Sequence, residues 1–169
     1  MESFERLIVE QIPRLRRYAQ ALTGERMAAD DLVQGSLARA IRKRHLWIRR
    51  KGIRPWLFTI MHNLYVNDIE KRARAPNIVA LEDDDVRIAV NGQPEAGLLF
   101  RDLGRALGDL PPEQRAVVLL VGLEQFSYKD TGRVLGIPIG TVMSRLSRGR
   151  ERLRELMSDS GSVGLRRVK

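Results

Sequence analysis

Residues 127–153 read SYKDTGRVLGIPIGTVMSRLSRGRERL, and this stretch decides the fold. Ser127, with Asp130 three positions on, makes a capping-box pattern, in which the hydroxyl takes an orphan amide and the acid answers back. The short helix it starts stops at Leu135–Gly136, where glycine suits the left-handed C-terminal position. After Ile137–Pro138 a longer helix is expected from about Gly140 to Met157, burying Val142, Leu146 and Leu153. A short helix, a glycine turn and a longer helix with a basic face predict a helix-turn-helix. In that geometry the second helix enters a major groove with its first residues at base edges. Thr141, Met143, Ser144 and Arg145 occupy the reading turn, and Arg148, Arg150 and Arg152 lie further along, placed for phosphates. Arginine recurs at 145, 148, 150, 152 and 154 with Glu151 as the single intervening acid, so the face is built for a polyanion.

Composition agrees with such a partner. The 169 residues carry 30 Lys plus Arg against 21 Asp plus Glu, a formal charge of +9. That excess points to nucleic acid or an anionic surface. Cysteine is absent, which removes disulfides and thiolate metal sites. With two histidines, His45 and His62, and the acidic run 82–85 in a segment without periodicity, neither a metal site nor a cofactor is expected. No stretch approaches the roughly 20 apolar residues of a membrane span, and the first residues lack a signal-peptide core. A cytoplasmic chain without membrane insertion is the expectation.

Upstream, helical periodicity dominates. Phe4, Leu7, Ile8, Ile12 and Leu15 recur at three- and four-residue spacing up to the Thr23–Gly24 break. A second helix is expected from about Met27 to Arg44, with Leu32, Val33, Leu37, Ala40 and Ile41 on one side and Asp31, Gln34 and Ala38 on a face opposite the stripe of Val33, Leu37 and Ile41. Residues 39–54 hold eight Lys or Arg and no acid. A third helix follows from about Pro55 to Arg72, with Leu57, Ile60, Met61 and Leu64 inward. Thr59, Asn63 and Asn67 line another face of it. Unstacked bases expose Watson–Crick edges, and Asn offers both a donor and an acceptor to them. Residues 75–95, with Pro76, the acidic run and Asn91–Gly92, read as a linker. Helical patterning resumes at about Ala96, and no strand alternation competes. The expectation is an all-α chain: a helical domain over 1–74, a flexible acidic linker over 75–95, a helix-turn-helix domain over 96–158 and a disordered basic tail over 159–169.

The run LPPEQRAVVLLVGLEQFSYKDTGRVLGIPIGTVMSRLSRGRERLRELM, residues 110–157, resembles the promoter-binding C-terminal domain of extracytoplasmic-function sigma factors of bacterial RNA polymerase. AADDLVQGSLARA, residues 28–40, resembles the family's segment that docks on the clamp helices of the largest polymerase subunit. The resemblance implies polymerase contacts at Asp31, Leu32, Gln34 and Ala38. It departs at Gly35–Ser36, where the family usually has an acid followed by Thr or another residue. RPWLFTIMHNLYVNDIEKRAR, residues 54–74, resembles the promoter-melting helix. That likeness implies −10 DNA contacts at Arg49, Arg50, Arg54, Trp56, Thr59, Asn63, Asn67, Lys71 and Arg72. Asn63 matches the position that forms a pocket for a flipped −10 base, and Trp56 either stacks there or packs inside. His62 is read as an edge residue without chemistry.

These likenesses imply a sigma factor that binds core RNA polymerase through its clamp helices and flap, reads −35 duplex, melts −10 DNA and answers to an anti-sigma factor. No catalytic residue is needed, because captured bases and polymerase contacts supply the energy of melting. The alternative is a sigma-like decoy or adaptor that sequesters an anti-sigma factor without driving transcription. A nuclease, with Asp83–Asp85 as metal ligands, finds no partner histidine and no helix to hold it.

Overall fold

In a computed structural model of the chain, residues 3–75 and 94–165 are described, and all the regular structure among them is helical. The acidic run 82–85 and the last four residues, 166–169, lie outside the described residues. Helix α1 (Phe4–Thr23) starts at Ser3, whose hydroxyl accepts the Arg6 amide at 3.2 Å. It stops at Gly24, which turns the chain at φ +70°, a conformation open to glycine at little cost. Helix α2 (Arg26–Arg42) runs back along α1, and two short 3-10 turns, Arg44–Leu46 and Arg49–Lys51, lead into α3 (Ile53–Arg74). Phe4 lies 5.4 Å from Trp47 and 6.0 Å from Trp56 between ring centroids. This aromatic trio ties the basic loop to the starts of α1 and α3.

Helices α4 (Pro94–Gly108), α5 (Pro112–Val118), α6 (Tyr128–Leu135) and α7 (Ile139–Leu165) form the second unit. After α5 the helix widens to a π-turn over Leu119–Leu123, with the Glu124 amide donating to the Leu119 carbonyl at 3.0 Å. Ser127 caps α6 as its spacing implies, its hydroxyl accepting from the Asp130 amide at 3.0 Å. Gly136 ends it at φ +67°. Helix α7 then packs Val142, Leu146 and Gly149 onto α5. It continues to Leu165, beyond the end expected at about Met157.

The sequence reading did not anticipate how the two units meet. Tyr18, Phe58 and Phe126 form a row of edge-on rings, 5.1 Å and 5.2 Å between successive centroids, that carries one hydrophobic core from α1 and α3 into the second unit. Full burial of an aromatic or branched side chain stabilises by about 1.5–3 kcal/mol, so this shared core binds the units without the linker. One stripe assignment also changes, and one polar residue goes inward. Helix α2 buries Ala29, Leu32, Val33, Ser36 and Ala40, whereas Ile41 is 58% exposed. Ser36 is polar yet fully buried, because its hydroxyl donates to the Leu32 carbonyl at 2.6 Å within the helix.

Candidate nucleic-acid and polymerase interface

The α3 face carries Thr59, Asn63 and Asn67 in register. Thr59 is half-buried and its hydroxyl donates to the Pro55 carbonyl at 2.8 Å, while Asn63 and Asn67 are exposed. The amides of both asparagines are thus presented outward from a helix whose other side holds Leu57, Phe58, Ile60 and Met61 in the core. Lys71 and Arg72 extend the face as exposed cations, and Arg49 and Arg50 lie exposed in the turn before α3. Trp56 is half-buried against Phe4, so it packs.

Arg54 takes a different place from the one its neighbours suggest. Its guanidinium donates to the main-chain carbonyl of Glu124, lies 3.4 Å from the Glu124 carboxylate and sits 4.3 Å from the Phe126 ring centroid. Burial and the nearby Arg14 and Arg17 charges hold its pKa below the usual arginine range, against the opposing pull of Glu124. In this arrangement Arg54 serves the contact between the units.

On α7, Gly140, Ser144, Ser147 and Glu151 recur at three- and four-residue steps opposite the seam of Val142, Leu146, Gly149 and Leu153. Met143 is 51% exposed, Ser144, Arg148 and Arg150 are exposed, and Thr141 is half-buried. Arg145 falls on the flank facing the first unit. It lines a small cavity with His62, Tyr65, Val66 and Ile69 of α3 and with Pro112, Glu113, Ala116 and Leu135. His62 is therefore an interface residue rather than a free edge. Burial first and Arg145 second lower its pKa from the ordinary 6.5.

On α2, Asp31, Gln34 and Ala38 are exposed together, but Leu32 is 4% exposed and belongs to the core. A docking helix needs an inward anchor, and Leu32 fills that place instead of the outer one. Gly35 faces the Leu64 side chain, which would lie 3.7 Å from an added Cβ, so the departure at 35–36 falls on the packed flank of α2.

Two residues that matter here drew no notice in the sequence. Glu124 is buried and receives Arg17 at 3.0 Å as well as Arg54. Its signal is faint: one acid closing the apolar run LLVGLEQF. Arg115 donates to the carbonyls of Leu107, Gly108 and Leu110 at 2.7, 2.8 and 2.9 Å and to that of Leu22 at 2.9 Å. It thereby closes the C-terminal end of α4 and reaches that of α1. Carbonyl partners carry no side-chain signature, so spacing could not have revealed them.

Both units resemble known proteins. Residues 8–62 match the family model described as the Sigma2 domain of PhyR, and residues 100–153 match Sigma-70, region 4. The ECF RNA polymerase sigma factor EcfG of Rhodopseudomonas palustris (strain TIE-1) is 37% identical over 92% of this chain and 85% of its own length. SigM of Mycobacterium tuberculosis, also an ECF RNA polymerase sigma factor, is 32% identical over 92% of this chain and 77% of its own. Among solved structures, the sigma factor RpoE of Bartonella quintana, in complex with the anti-sigma factor NepR, superposes with a TM-score of 0.77. It shares 33% identity over 92% of this chain and 96% of that chain. The chain belongs to the extracytoplasmic-function (ECF) sigma factors of RNA polymerase.

Proposed function

We propose that this sigma factor initiates promoter-specific transcription through two DNA surfaces of different chemistry. The observation that carries the reading is the pairing of exposed Asn63 and Asn67 on α3 with exposed Met143, Ser144, Arg148 and Arg150 on α7. The asparagines suit the edges of unpaired −10 bases, with Lys71, Arg72, Arg49 and Arg50 drawing the single-stranded backbone. The α7 arc suits the −35 major groove, where Met143 and Ser144 meet base edges and Arg148 and Arg150 meet phosphates. Asp31, Gln34 and Ala38 form the surface offered to the clamp helices of core polymerase, and the second unit lies on the flap. An anti-sigma factor is a further partner, as one is for RpoE of Bartonella quintana.

The test separates the surfaces. Asn63→Ala should reduce permanganate reactivity of −10 thymines in the polymerase complex and leave −35 duplex affinity unchanged; loss of both would make the residue structural. The decoy reading keeps one supporting observation, the match of residues 8–62 to a domain of PhyR. It requires that the protein capture an anti-sigma factor and yield no transcript with core polymerase.

A further inference from the structure

Among the described residues, Glu124 is the one charged side chain in the buried class, at 1% exposure. Both of its carboxylate oxygens are held by arginines of the other unit. Arg17 Nε and Nη2 donate to Oε1 at 3.2 and 3.0 Å, and Arg54 Nη2 faces Oε2 at 3.4 Å. A carboxylate taken out of water is tolerated only while such partners stay in place, and losing them leaves a buried charge uncompensated. The backbone beside it is strained as well. Gln125 sits at φ +56°, a left-handed conformation that disfavours a residue with a Cβ. The turn drives Glu124 and Phe126 together into the first unit, where Phe126 lies under Arg54 and against Phe58. At the other end of the same contact, Arg145 is drawn into the cavity beside His62.

We infer that Glu124 is an internal latch, which holds Arg54 and Arg145 away from DNA while the α4–α7 unit lies on α1–α3. The inference rests on the reading of those two arginines as DNA contacts. Phosphate and Glu124 compete for the same guanidinium. DNA therefore favours the opened chain by its differential affinity, and a closed chain binds more weakly in proportion to its closed fraction. Opening returns the Glu124 carboxylate to water, which removes the need for its two arginine partners.

The chain has no cysteine, so a spin-label pair at Asp30 and Lys129, both exposed and one on each unit, reports the separation by pulsed EPR. Glu124→Gln is measured in the full chain, and Arg17→Gln serves as a second variant that leaves the carboxylate in place. Far-UV circular dichroism checks that each is folded. The expected result is a longer, broader distance distribution and about tenfold tighter binding of a fluorescein-labelled mixed-sequence single-stranded DNA. An unchanged distribution in both variants would overturn the latch. A wider distribution with unchanged affinity for the single strand would also overturn it, by retiring the DNA role of Arg54, the arginine of the two read as a −10 contact.

Discussion

Arg115 gives the most quantitative handle on how the two units are held. Its guanidinium reaches four carbonyl oxygens at 2.7 to 2.9 Å, three at the end of α4 and one, Leu22, at the end of α1. Helix C-termini leave carbonyls unpaired and carry partial negative charge, so a planar cation with several donors suits the place. A hydrogen bond from a charged donor contributes about 1.5–3 kcal/mol. The Gly108 carbonyl belongs to an exposed residue and returns to water when Arg115 is removed. The other three, taken at the low end because they share one donor group, give a loss of about 4 kcal/mol for Arg115→Ala. Arg115→Lys keeps the charge but not the fork, and should recover about half of that. Urea unfolding followed by far-UV circular dichroism reads both values as shifts in midpoint at constant slope. A loss below about 1 kcal/mol for Arg115→Ala would refute the reasoning, since the four carbonyls would then be satisfied without it.

The same instrument separates two glycines. Gly35→Ala meets Leu64 at 3.7 Å, an ordinary contact, and should stabilise by up to about 1 kcal/mol through helix propensity. Gly149→Ala would put a Cβ 2.7 Å from Val118 Cγ2, and overpacking of about 1–3 kcal/mol should outweigh that gain; a shared sign would contradict the packing of α7 on α5. Leu32→Ala should cost about 2–5 kcal/mol of stability, with polymerase affinity falling only in step with the folded fraction, as titration against core polymerase would show. His62 makes the fold sensitive to acid. Its folded pKa lies below the ordinary 6.5, so the unfolded chain binds the proton first, and stability present above about 6.5 is lost as pH falls from there through the lower folded value. The cavity around it also presents Tyr65, Glu113 and Arg145. Melting temperatures should therefore drop more steeply between about pH 7.5 and 5.5 for wild type than for His62→Gln, and parallel curves would exclude the effect.

Helix boundaries were legible wherever a residue type answers a local need. Gly24 and Gly136 take left-handed φ, and Ser127 caps through its own hydroxyl. The helix-turn-helix was legible for the same reason, and with it the exposed Ser144 and Arg148. Burial by hydrophobicity alone misled on α2. Ile41 has the right spacing but points outward, and Ser36 goes inward because a bond to the Leu32 carbonyl satisfies it. The contact between units was not legible at all. Glu124 meets Arg17 across 107 positions and Arg54 across 70, and a pair so distant leaves no period in the sequence. That is why Arg54 and Arg145, whose neighbours suit DNA, lie against protein in this arrangement.

Run-off transcription with core polymerase on a library of genomic promoter fragments tests the central claim most directly. The account predicts products only when this protein is added, from fragments that share one −35 and one −10 element. Ser144→Ala should relax selection at the −35 element, and Asn63→Ala should reduce yield from every selected promoter. Product no greater than core polymerase gives alone would contradict the account.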